Sequence, residues 1–122
     1  IELELQYLFD QVRNLIKLGK QDDARDLLRA NYQAAMDYGS KGNEVAAALD
    51  VIALGYMAIG DLRTVESILD VMRKVVDGLK DQEMYLDSVL MHMGSLYAKL
   101  GKPSLSITFY QRSLQIMEKR YG

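Results

Sequence analysis

Apolar residues recur at intervals of three and four along most of the chain, which is the period of a helix lying on a core. Strict apolar–polar alternation, the mark of a half-buried strand, is missing. Ile107, Tyr110, Leu114, Met117 and Tyr121 form one such stripe, and Val65, Leu69, Met72, Val76 and Leu79 form another. Local signals set the ends. Asp22 and Asp23 open a helix, where carboxylates complement its positive end and cap free N–H groups. Pro103 suits a first helical turn, because its missing N–H has no helical partner there. The pattern predicts six helices, near 2–18, 22–38, 43–59, 62–79, 82–100 and 103–120, and an all-α fold.

The stripes repeat. LIKLG, YMAIG and YAKLG place Gly19, Gly60 and Gly101 at a constant interval of 41 residues. The same shift carries Leu8 to Leu49 to Leu90, Leu18 to Ile59 to Leu100, Leu27 to Ile68 to Phe109, and Leu28 to Leu69 to Tyr110. Each glycine follows a helical stretch and precedes a polar residue, where a left-handed backbone ends a helix without steric cost. Each unit therefore reads as helix, tight turn, helix. Such a unit cannot bury its own apolar face, so neighbours stack and leave a concave surface lined by the first helix of each pair.

Composition narrows the function. A chain of 122 residues is one domain's worth, with 49% hydrophobic and 26% charged residues and a single proline. Fifteen basic residues are dispersed among seventeen acidic ones, for a net charge of −2. That lacks the basic footprint a phosphate backbone requires, so nucleic acid is not an expected partner. With no cysteine there is no disulfide or thiolate chemistry. Charges interrupt the apolar stretches, so no membrane contact is expected of this segment. Ile1 stands where a start methionine would, and the chain reads as part of a longer one. His92 is the only histidine and has no neighbouring cluster of ligands or nucleophile, so no catalytic set, metal or cofactor is expected. GSKGN (39–43) lacks the spacing of a phosphate loop and reads as a connector. Most of the tyrosines fall at packing places, and Tyr7, Tyr38 and Tyr85 are left for an interface.

Residues 89–122, VLMHMGSLYAKLGKPSLSITFYQRSLQIMEKRYG, resemble a tetratricopeptide repeat. Leu90, Met93, Gly94 and Tyr97 are followed by Gly101, Ser106, Tyr110 and Ser113, with small residues where helices cross closely. The middle repeat keeps Leu49, Ile52, Ala53, Tyr56 and Gly60 but has Val65 and Met72 where small residues are usual. The first keeps Leu8, Gly19, Ala24 and Leu28, while Val12, Leu15 and Asn31 depart. None has the proline usual near the repeat end. The common period is about 34 residues, and the extra seven here amount to two helical turns, which preserves the apolar face. The resemblance implies a right-handed superhelical array of three repeats, near 1–40, 42–81 and 82–122, that binds protein and is not an enzyme. Long-helix arrays of this kind resemble those of kinesin light chains, polarity adaptors and bacterial peptide sensors. In size, repeat number and irregularity the chain is similar to tetratricopeptide domains of plastid regulators that bind glutamyl-tRNA reductase and restrain chlorophyll (tetrapyrrole) precursor synthesis. That likeness implies glutamyl-tRNA reductase as partner, and a parent protein at a chloroplast membrane with this domain in the stroma.

Aligning the repeats places Phe9, Arg13, Ile16 and Lys17, then Asp50, Val51, Leu54 and Met57, then Met91, His92, Ser95 and Lys99 on the concave face. The Lys, Asn and Arg set that clamps an acidic C-terminus is not among them. Val51, Leu54, Met57 and Met91 make an adaptable apolar centre, rimmed by Arg13, Asp50 and Lys99, which suits an amphipathic helix of a partner protein. Against this stands the alternative that Leu54 and Met57 pack on a neighbouring helix. Two other functions compete: a sensor whose groove takes a short peptide or small ligand, and self-association through Ile107, Leu114 and Met117 on the last helix.

Overall fold

The computed structural model describes residues 2–38 and 41–122. Their regular structure is helical throughout, with no strand among the described residues: α1 (Glu2–Lys17), α2 (Gln21–Tyr38), α3 (Gly42–Ile59), α4 (Leu62–Asp77), α5 (Leu86–Lys99) and α6 (Pro103–Tyr121). Of the connector 39–43, residues 39 and 40 lie outside the described residues, as does the Tyr38 side chain. Sequence neighbours pair, α1 with α2, α3 with α4 and α5 with α6, and α3 also packs against α1, α2 and α5. One apolar core runs through all six helices, from Leu8 and Val12 through Leu28, Ile52, Leu69 and Met93 to Phe109 and Ile116. Leu8, Leu49 and Leu90, equivalent under the 41-residue shift, are all buried.

The central place of α3 explains its composition. Its 18 residues are long and apolar enough to cross a membrane, which corrects the expectation that no segment would be. Leu49, Ile52, Ala53 and Tyr56 spend that apolar character on the protein core.

The three repeated glycines adopt the same conformation, with φ of 74° at Gly19, 89° at Gly60 and 74° at Gly101. Each closes its helix with the same pair of bonds. The carbonyls of Leu15, Tyr56 and Tyr97 accept from the N–H groups of Lys20, Asp61 and Lys102, at 2.8, 3.0 and 2.9 Å. The carbonyls of Ile16, Met57 and Ala98 accept from the three glycine N–H groups, at 3.0, 3.0 and 3.1 Å. This is the Schellman closure, and it satisfies carbonyls that a helix end leaves without partners. After the second turn Asp61 caps α4, accepting from the Thr64 N–H at 3.3 Å. In the last hairpin the helices approach closely. A Cβ at Gly94 would lie 2.9 Å from the Tyr110 ring, and the Ser106 hydroxyl donates to the Gly94 carbonyl at 2.7 Å.

The connection between α4 and α5 departs from expectation. Helix α4 ends at Asp77 and α5 begins at Leu86, where the apolar pattern predicts an end at 79 and a start at 82. Tyr85 has φ 73°, which no right-handed helix contains. Arg112, from α6, donates to the carbonyls of Val76 at 3.0 Å and Leu79 at 2.9 Å, and to the Asp81 carboxylate at 3.2 Å. A distant guanidinium thus takes over carbonyls that further helical turns would have used. Leu79 still packs against the core from outside the helix, so the apolar stripe outlasts the element.

Two stability changes follow from these contacts. Gly60→Ala forces a side chain into the left-handed region and should lower the unfolding free energy by about 1 to 2 kcal/mol in urea titrations. Arg112→Met removes charge-assisted bonds to the Val76 and Leu79 carbonyls and to Asp81 and should cost about 2 kcal/mol. Arg112→Lys should recover only part of it, since one ammonium cannot span acceptors that a planar fork reaches together.

Candidate functional site

Helices α1, α3 and α5 lie side by side and each turns one stripe toward a shared groove of about 740 Å³. Leu5, Gln6 and Phe9 come from α1, Ala47, Asp50, Val51 and Leu54 from α3, and Ser88, Val89 and His92 from α5, with Tyr85 at the start of that helix. The spacings of three and four along each helix are those of a single face. Ala47 and Ser88 are small, which leaves volume at the floor.

The structure brings together Phe9, Asp50, Val51, Leu54 and His92 from the concave-face positions predicted by repeat alignment. It does not bring Arg13, Ile16, Lys17, Met57, Met91, Ser95 or Lys99 into the lining. Ile16 and Met57 are half-buried against the core. Met91 is exposed outside the groove. Arg13 stands over the Phe9 ring, its guanidinium carbon 5.7 Å from the centroid. Lys17 and Lys99 occupy the last turns of α1 and α5. Leu5, Gln6, Ala47, Tyr85, Ser88 and Val89 are the lining residues that repeat alignment missed. Leu5, Gln6, Ala47, Ser88 and Val89 lie about one turn nearer the N-terminus of their helices on the same face, and Tyr85 lies just before α5. Periodicity identifies the face; the small residues at 47 and 88 were the signal for where along it the groove opens.

One polar couple sits among these apolar walls. Asp50 Oδ2 lies 2.6 Å from His92 Nδ1, bridging α3 and α5. The Asp50 side chain is 8% exposed and that of His92 is 42% exposed. The second carboxylate oxygen, Oδ1, is closed off from solvent with no partner. Burial pushes the Asp50 carboxyl up from its ordinary range, against the hydrogen bond and charge of His92, which pull it down. The bond to Asp50 raises the His92 pKa, partly opposed by burial. Both groups therefore hold a proton to higher pH than they would in water, and they titrate as a couple. The bond makes Nδ1 the nitrogen that donates inward. His92 Nε2 has no partner among the described residues.

Tyr85 adds a strained element. A bulky residue at positive φ costs roughly 1 to 2 kcal/mol, and this one is half-buried where the connection meets the groove. Among the described residues no cluster of three His, Cys, Asp or Glu side chains could hold a metal. Ser88 and Ser95, one turn either side of His92, make no hydrogen bond to it. The arrangement is suited to recognition: apolar walls, one oriented imidazole, and a buried carboxylate behind it.

Comparison of the chain with known family models, with curated proteins and with solved structures finds no match.

Asp50→Asn removes the charge and weakens the bond that raise the His92 pKa, because a neutral amide oxygen accepts less strongly than a carboxylate, and it leaves the burial that lowers it. Proton NMR titration of the imidazole should show His92 falling below its ordinary value of 6.5. An unchanged titration would mean that the couple does not form. In the wild type, the stability His92 contributes is complete below its unfolded pKa. It is lost as the pH rises through the higher folded value.

Proposed function

We propose that the protein is a non-catalytic docking module that holds a helical segment of a partner protein in the groove of α1, α3 and α5. The observation that carries this reading is the groove itself, about 740 Å³ and walled by Leu5, Phe9, Val51, Leu54 and Val89. Neighbouring helices pack about 8 to 10 Å apart, so a face three helices wide offers room for a helix about 10 to 12 Å across. A half-buried apolar floor with polar groups at intervals is the surface an amphipathic helix complements.

The finer architecture belongs to the same proposal. Three hairpins closed by identical left-handed glycines at a 41-residue interval support a tetratricopeptide-like, right-handed superhelical array. The small residues Gly94, Ser106 and Ser113, all buried, stand where that repeat has its close helix crossings. The likeness extends to the tetratricopeptide domain of the plastid regulator Fluorescent in blue light. On that likeness the partner is glutamyl-tRNA reductase, the setting a chloroplast membrane and the outcome restraint of tetrapyrrole synthesis. A second reading, association with another copy, is favoured by Ile107, Leu114 and Tyr121, which are exposed on one side of α6.

Titration calorimetry with purified glutamyl-tRNA reductase tests both levels. The wild type should bind. Leu54→Glu, which puts a charge on the groove wall, should weaken binding by about thirtyfold or more with the helical circular dichroism unchanged. Wild-type binding that Leu54→Glu leaves intact removes the groove from the interface. Failure of the reductase to bind removes the tetrapyrrole reading, and the same Leu54→Glu comparison then applies to proteins captured from a native extract.

A further inference from the structure

The groove reading leaves open which kind of helix would be accepted, and the polar couple bears on that choice. Asp50 cannot meet a partner's cation directly, because Oδ2 is engaged by His92 and Oδ1 is closed off from solvent. The imidazole is the member of the couple that reaches the groove. Its Nδ1 points inward to the carboxylate, so Nε2 is the atom left to meet an occupant. Among the described residues no other charged side chain lines the groove: α1 contributes Leu5, Gln6 and Phe9, α3 contributes Asp50, and the connection before α5 contributes Tyr85. Beyond the lining, Arg13 stands over Phe9, while Lys17 and Lys99 occupy the last turns of α1 and α5.

We propose that His92, oriented by Asp50, is the specificity point of the groove and receives a carboxylate side chain of the docked helix. The proposal rests on the docking function above. A protonated imidazole whose inner N–H is taken by a buried carboxylate presents its outer N–H as a charge-assisted donor. A partner Glu or Asp satisfies it. An apolar residue at that place would leave the N–H desolvated and unpaired, and a Lys or Arg would meet like charge at the protonated His92. The occupant is therefore an acidic amphipathic helix, with one carboxylate between apolar anchors three or four residues away on either side. The bond to Asp50 raises the His92 pKa, so the donor form persists to higher pH than it would in water.

Three helical peptides of roughly 18 residues, long enough to hold helix, test this with one apolar face and Glu, Gln or Lys at its centre. Binding to the whole 122-residue chain is read by fluorescence anisotropy between about pH 5.5 and 9. The Glu peptide should bind about tenfold more tightly than the Gln peptide at the acid end, with Lys weakest. The advantage should fade as the pH rises through the folded His92 pKa. His92→Gln should abolish both the preference and its pH dependence while keeping the affinity for the Gln peptide, which shows the groove still formed. Asp50→Asn should move the fade to lower pH. Equal affinity for all three peptides would overturn the proposal and leave the docking reading standing. A preference for Lys would overturn it in favour of Asp50 as the contact. Failure of every peptide to bind the wild type would count against both the proposal and the docking groove.

Discussion

The left-handed turn at Gly19, Gly60 and Gly101 is the constraint from which the rest of this structure follows. Each turn fixes two things at once, where an inner helix stops and the direction in which its outer helix leaves. The bonding pattern is the same three times. Burial follows the 41-residue shift only in part: Leu8, Leu49 and Leu90 are all buried, whereas Leu18 is exposed where Ile59 and Leu100 are half-buried, and Tyr110 is exposed where Leu28 and Leu69 are buried. A side chain at these glycines would strain a closure that no tertiary contact replaces, since nothing lies within 4 Å of the space a Cβ would occupy. Backbone conformation alone, not packing, requires glycine there.

On this frame the polar ties divide the work between the two sides of the array. Arg112 holds α6 to the end of α4 and to the connection that follows, and so stabilises the stretch where the chain leaves helical geometry. Asp50 and His92 tie α3 to α5 within the groove. The two differ in energetic character. Arg112 adds charge-assisted bonds to the Leu79 carbonyl and to the Val76 carbonyl, which also accepts from the Leu79 N–H, and this is a plain gain. Asp50 places a carboxylate in a desolvated site with one oxygen unpaired, and a volume-matched apolar residue would avoid that cost. Its presence is easier to understand as orientation of the imidazole than as reinforcement of the fold.

The helices, the hairpin interval and the turn conformation were readable from sequence because each depends on local rules: apolar period, glycine at the helix end, proline at the first turn. What escaped depends on distant partners. Nothing near residue 79 announces that Arg112 will claim the carbonyls of Val76 and Leu79, so the stripe of α4 read as helix beyond its real end. Tyr85 at positive φ could not be foreseen, because sequence alone disfavours a tyrosine there. The pairing of Asp50 with His92 was also hidden, although both were assigned to the concave face, because the 41-residue shift aligns His92 with Val51 and Asp50 with Met91.

The displacement of the groove by one turn shows how irregular repeats create a site. Toward the C-terminal ends of α1 and α3, Ile16 and Met57 are large and half-buried against the core. Toward the N-terminal ends, Ala47 and Ser88 are small, so the same three helices enclose volume there. Identical turns and unequal side chains therefore shift the opening along a face whose orientation does not change. The shift also moves the opening away from Lys17 and Lys99, at the last turns of α1 and α5, and toward the one place where a carboxylate is buried behind an imidazole. The groove opens onto apolar walls and a single oriented imidazole, and under the docking proposal that pairing asks for both an apolar face and a matching acceptor.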